Sequence, residues 1–158
     1  MLSKLAKANL YLNLFGFSKV PMIWLCRPKI IRMDGSSIAI EIPLKRRTKN
    51  HLSSMYFGVL AIGADIAGGF MAMSKAKEKG VDISLAFKGV EGKFIKRAES
   101  NVLFQCRDGE KIEQMLQQTI TTKERVNESV KITATCPDIE KDTIVAEFEL
   151  MLSVKALN

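Results

Sequence analysis

The sequence predicts an α+β fold in which one long, almost wholly apolar helix packs on an antiparallel sheet of five to six strands. Three observations carry that expectation. From Met55 to Met73 the chain is apolar or small apart from one acid, Asp65. Elsewhere short segments alternate apolar and polar residues, as in Val81, Ile83, Leu85 and Phe87, the period of a strand with one face on a core. At 158 residues, with no repeat, low-complexity stretch or internal linker, the chain fits a single core.

The elements follow in order. MLSKLAKANLYLNLFGF has two early lysines and an apolar stretch, but Asn9 and Asn13 interrupt it and no small-residue cleavage site follows. A short helix closed near Gly16 fits it better than a signal peptide, with a loop punctuated by Pro21, Trp24 and Pro28 after it. Residues 1–27 are thus expected as a helical extension and residues 28–158 as the main domain. A strand over Lys29 to Met33 leads through a tight Asp34-Gly35 turn into a second strand from Ser36 to Leu44.

The basic loop Lys45-Arg46-Arg47-Thr48-Lys49 opens the long helix, with Ser53 or Ser54 as N-cap. Lys75, Lys77 and Lys79 stand at its C-terminal end, where cations favour the dipole, and Gly80 stops it. Two strands follow, with a bulge or bend suggested by Gly89 and Gly92. A second helix from about Glu110 to Thr122 has Ile112, Met115, Leu116 and Ile120 as its apolar stripe. The last strands run near Ser129 to Cys136 and Thr143 to Val154, joined at Pro137-Asp138.

The central run is long enough to cross a bilayer, but an acid at mid-span costs about 2.5 to 3.5 kcal/mol, and its glycines add no hydrophobicity. The alternating segments need a common lid, so a helix wrapped by sheet is the better reading. Hydrophobic residues at 47% and charged residues at 26% exclude a disordered chain. A net charge of +7 suggests an anionic partner: nucleic acid, an acidic membrane surface or a phosphorylated small molecule. Aromatic content of 7%, with no stacking or groove-reading motif, argues against nucleic acid, and no membrane partner is expected. Cys26, Cys106 and Cys136 are odd in number and widely spaced, which indicates neither a disulfide framework nor a metal site and fits a cytoplasmic protein.

On a helix, Gly58, Ala61, Asp65, Gly68, Gly69 and Ala72 share one small-residue stripe, a floor that something else covers, while Phe57, Leu60, Ile62, Ile66, Phe70 and Met73 serve packing. Two readings of Asp65 stand: a buried acid paired with a basic side chain, or a carboxylate in a crevice, its pKa raised by desolvation, working as base or nucleophile.

Gly58-x6-Asp65-x-Ala67-Gly68-Gly69 inside a long helix, preceded by Asn50-His51 and followed by alternating strands, resembles the hotdog-fold thioesterase superfamily, and within it the branch of short stand-alone domains. The resemblance covers roughly residues 28 to 155. It implies a hotdog fold and an acyl-CoA thioesterase of the phenylacetic-acid-degradation type. In that type an acid on the central helix activates water or attacks the thioester carbonyl, and a backbone N–H near the helix start polarises its oxygen. Asp65 would take the first role and Gly58 the second, since free N–H groups at a helix N-terminus stabilise developing oxyanion charge.

The chain departs from the usual His-Gly-Gly: it has Tyr56-Phe57-Gly58, and its single histidine, His51, lies earlier. Asn50 and His51 are either positioning groups for the acyl carbonyl or a structural part of the loop. Tyr56, Arg46, Arg47 and Lys49 are candidate substrate contacts, the basic residues either a rim for the phosphates of coenzyme A or a solvated loop. No cofactor beyond the coenzyme A of the substrate is implied. The resemblance further implies a homodimer, or a tetramer, with the site between subunits. The competing function is an acyl-CoA or fatty-acyl binding protein without turnover. Cysteine catalysis is disfavoured, because Cys106 and Cys136 fall on inward strand positions.

Overall fold

A computed structural model describes residues 2–158. The chain runs α1 (Lys4–Lys19), α2 (Pro21–Cys26), β1 (Lys29–Met33), β2 (Ile38–Ile42), α3 (Phe57–Glu78), β3 (Ile83–Phe94), β4 (Val102–Cys106), α4 (Gly109–Thr122), β5 (Val126–Thr135) and β6 (Ile144–Ala156). The six strands form one antiparallel sheet in the order β1-β2-β4-β5-β6-β3. The expected bulge in β3 is present, with the register slipping between Phe87 and Gly89.

The β1–β2 connection is looser than a two-residue Asp-Gly turn. Asp34 Oδ1 accepts from the N–H groups of Ser36 and Ser37, both at 2.8 Å, and this shortens β2 to Ile38–Ile42. The Ser36 hydroxyl donates to the same oxygen at 2.8 Å, and its bond, followed by these two, holds the Asp34 carboxyl down at about 2.

Helix α3 lies on the sheet through backbone as much as side chain. A Cβ at Gly63 would collide with the ring of Phe104 on β4, which is fully buried, so only glycine lets the helix settle here. Gly68 lies against Val130 and Leu150 more loosely: a Cβ there would stand 3.3 and 3.4 Å from them. The small stripe therefore divides: Gly68 and Ala72 are buried, Gly68 against the sheet, whereas Asp65 and Gly69 turn toward β3. Of the residues expected to pack, Leu60, Ile66 and Phe70 are buried, but Phe57 at the first turn is exposed.

The helix begins at Phe57 with Tyr56 at its N-cap, not at Ser53 or Ser54. Ser53 takes a left-handed φ of 60°, and the Ser54 hydroxyl donates back to Asn50 Oδ1, so both belong to the preceding loop. α3 is the one described helix long and apolar enough to cross a bilayer. Its apolarity is used in the core, between the sheet and the N-terminal helices.

Those helices are longer than the sequence suggested. α1 continues through Gly16 to Lys19, because Gly16 is buried against the backbone of Trp24, and Pro21 starts α2 from its first turn. Leu12, Ile23 and Cys26 belong to the same core as α3 and the sheet. Met1, first residue of the expected extension, lies outside the described residues. Asn9 faces the edge of β1: its Oδ1 accepts from the Ile30 N–H at 2.8 Å and its Nδ2 donates to the Ile30 carbonyl at 3.0 Å. One carboxamide thus satisfies a strand edge that would otherwise be open. At the far end of α3, Lys75 and Lys79 reach Glu113 on α4 at 3.2 and 2.5 Å.

Candidate functional site

Asp65 is half-buried on α3, two turns after Gly58. Its Oδ1 lies above Gly69, 3.5 Å from where a Cβ would stand, with Phe87 and Leu85 of β3 beside the same point. Among the described residues no side chain donates to it and no cation pairs with it. Burial alone pushes its pKa up from 3.8 to about 6. Neither oxygen is sealed from solvent without a partner. Of the two readings, the paired acid does not form among the described residues: Asp65 is a desolvated carboxylate that reaches solvent.

A cavity of about 690 Å³ starts at Asp65 and runs along α3. Ile66, Gly69, Phe70 and Met73 form its floor. Tyr11, Leu12 and Phe15 of α1 make one wall, and Ile83, Leu85 and Phe87 of β3 make the other. The Tyr11 and Phe70 rings meet at 5.6 Å. The far end is polar, with Lys77 and Asp82 in the lining, and Lys77 Nζ sits 4.0 Å over the Tyr11 ring. From Asp65 to Lys77 the helix rises about 18 Å.

The other candidates gather at the start of α3. Buried Thr48 organises the basic loop, its hydroxyl donating to the Pro43 carbonyl at 2.7 Å and accepting from the Lys45 N–H at 2.8 Å. Its carbonyl accepts from the Tyr56 N–H at 2.9 Å, and Lys49 bridges Met55, so the loop is stitched to the helix start. Arg46, Arg47 and Lys49 consequently stand exposed beside that N-terminus.

Asn50 Oδ1 accepts from the N–H groups of Leu52 and Ser54 at 2.9 and 3.2 Å, which folds residues 50–54 into a turn. His51 is exposed on that turn. The Gly58 N–H lies in the first helical turn, where no intrahelical carbonyl reaches it, and the Tyr56 ring stands over Gly58, 2.5 Å from the point a Cβ would occupy.

Arg46, Arg47, Lys49, Asn50, His51, Tyr56 and Gly58 thus form one group, and none of them lines the Asp65 cavity. Asp65 is about 10 Å further along the helix from Gly58. Sequence reading missed Thr48, read Ser54 as a helix cap where it closes the Asn50 turn, and missed the cavity wall from α1, which no local pattern announces. The three thiols are free and buried; desolvation raises Cys26, and Cys106 to about 11, which leaves both protonated. Among the described residues no three His, Cys, Asp or Glu side chains cluster as metal ligands.

A long helix cradled by one antiparallel sheet, with a desolvated acid on the helix, defines a hotdog-fold domain. The chain belongs to the family described as Domain of unknown function (DUF4442), which matches residues 10–154. Among solved structures, a protein of unknown function from Chlorobaculum tepidum superposes with a TM-score of 0.80 at 17% identity, covering 94% of each chain. A thioesterase from Haemophilus influenzae gives 0.71 at 17% identity, over 99% of this chain and 94% of its own. Zebra fish thioesterase superfamily member 2 gives 0.66 at 10% identity, over 99% of this chain and 100% of its own. These likenesses bear on the fold. A comparison with curated proteins finds no match.

Proposed function

We propose that this protein hydrolyses acyl-CoA thioesters, with Asp65 as the general base. The observation that carries the reading is the unpartnered, desolvated Asp65 carboxylate at the head of a long apolar cavity. A fatty acyl chain fits such a cavity, and a base with a pKa near 6 is largely ionised at neutral pH while still able to accept a proton. Asp65 takes a proton from water, whose oxygen bonds to the thioester carbon. The carbon–sulfur bond then breaks, and the thiolate leaves and takes up a proton, giving a carboxylic acid and a free thiol.

Gly58 and Asp65 of one chain are too far apart to serve one carbonyl, which needs donor and base each within about 3 Å. Two copies with antiparallel α3 helices side by side would bring the Gly58 N–H of one to Asp65 of the other. The unpaired edge of β3 supports such a homodimer. It is twelve residues long, bears exposed Phe87, Val90 and Phe94, and among the described residues has no covering element of the kind Asn9 gives β1. Arg46, Arg47 and Lys49 beside the helix start would then meet the coenzyme A phosphates.

The test follows free thiol as purified protein meets acyl-CoAs of several chain lengths. Turnover should fall about 100-fold or more in Asp65→Asn. Gly58→Pro removes the N–H in a first helical turn, and the exposed Tyr56 ring, which stands where the proline Cβ goes, swings aside. Mixing it with Asp65→Asn should restore about a quarter of wild-type activity, because half the dimers are mixed and each holds one intact site. The second reading is acyl-CoA binding without turnover, favoured by the Tyr56 ring over Gly58. Saturable binding with no thiol release, indifferent to Asp65→Asn, would select it.

A further inference from the structure

We infer that the outer face of α1 and α2 docks on an anionic lipid bilayer. α1 is apolar on both sides. Leu12 and Gly16 face the core, while Leu10, Leu14 and Phe17 on the opposite side are 51%, 57% and 66% exposed. These three follow Lys7 at steps of three, four and three residues, so they form one stripe along the helix. The patch continues into α2, where Met22 is 57% exposed and the Trp24 ring meets Phe17 edge-on at 5.6 Å. No described element of the chain covers this face.

Charge identifies what covers it. Lys4, Lys7, Lys19, Arg27, Lys29 and Arg32 all precede the first acid, Asp34, so six of the seven net positive charges fall on the first 33 residues. The rest of the chain is almost neutral. Among the described residues the one ion pair any of the six makes is Lys4 with Glu78, at 2.8 Å between two exposed side chains. Arg27 lies 4.4 Å over the Trp24 ring, joining the cationic rim to the aromatic edge of the patch.

Bulky aliphatic and aromatic side chains on a strongly cationic segment of chain are what a helix lying in the headgroup layer of an anionic bilayer presents. A tryptophan at the boundary suits the same interface. A nucleic-acid surface would use the cations but leave Leu10, Leu14 and Met22 without partners. This peripheral contact departs from the expectation of no membrane partner. α1 would then separate the bilayer from the Asp65 cavity that its inner face walls.

The protein has a single tryptophan, and it lies on the patch, so it reports docking directly. The full chain is mixed with phosphatidylcholine vesicles with and without phosphatidylglycerol, and Trp24 emission is followed along with quenching by brominated lipid. On anionic vesicles emission should shift to the blue and be quenched. Apparent affinity should fall about tenfold or more on neutral vesicles, at raised salt, and in a Leu14→Asp, Phe17→Asp variant. Both substituted residues point away from the core and the cavity, so circular dichroism and thermal unfolding should match wild type. Lys7→Glu, Lys19→Glu tests the charge without touching apolar surface. The proposal falls if anionic vesicles leave Trp24 unchanged, if the double aspartate variant binds as wild type does, or if that variant only changes the oligomeric state, which would assign the face to a second copy.

Discussion

The Asp65 carboxylate lies over Gly69, whose missing side chain leaves a gap between the acid and the Phe87 ring: a Cβ there would stand 3.5 Å from Oδ1 and 3.2 Å from Phe87 Cζ. Gly69→Ala should therefore touch the site more than the fold. Alanine gains helix propensity of about 1 kcal/mol, which offsets the crowding of a half-exposed ring. Thermal unfolding should move little, while acyl-thioester turnover drops several-fold as the cavity mouth narrows.

Asp65 itself sets two pH dependences. Turnover should rise through about pH 6 as the carboxylate loses its proton. Stability should change the other way. The folded pKa lies above the ordinary 3.8, so folding favours the protonated form, and that contribution is whole below pH 3.8 and lost as pH rises through about 6. Asp65→Asn should thus be more stable than wild type by about 1–2 kcal/mol at pH 8, a value kept below the full shift because the carboxylate reaches solvent. The two proteins should converge below pH 4. Urea titrations at the two pH values check this.

Gly63→Ala offers the contrast. Its methyl would enter the buried Phe104 ring, which the sheet holds in place, so the substitution should cost about 2–3 kcal/mol despite the gain in propensity. Denaturant midpoints measure the loss.

Asn9→Leu removes both hydrogen bonds to Ile30 and leaves that strand edge facing an apolar side chain. A loss of about 1–3 kcal/mol is expected, with faster hydrogen exchange at Ile30. Because α1 walls the cavity, long-chain substrates should suffer more than short ones.

Arg46→Ala with Arg47→Ala should raise KM about tenfold for coenzyme A thioesters and leave kcat unchanged, since the exposed loop makes no fold contact through those guanidinium groups. Pantetheine thioesters, which lack the nucleotide phosphates, should show no difference.

Much of this architecture was legible in the chain. Strict alternation placed β4, and the stripe of Ile112, Met115 and Leu116 placed α4, because those elements have one buried face and a period that shows it. The start of α3 was misplaced because Ser53 and Ser54 are good caps on propensity alone, whereas Asn50 draws residues 50–54 into a turn. α2 was missed because six residues between two prolines carry no period.

By itself the sequence determined that one acid sits in an apolar helix, that the helix needs a sheet around it, and that a glycine lies two turns before the acid. Those are local facts of composition and spacing. Only the tertiary structure decided that α3 starts at Phe57 and so frees the Gly58 N–H, that Asp65 has no partner among the described residues, that α1 closes a cavity beside it, and that the candidates near Gly58 stand apart from it. Each of these depends on which distant segments meet, Tyr11 with Phe70 and Gly69 with Phe87, and packing of that kind leaves no periodic trace in the chain.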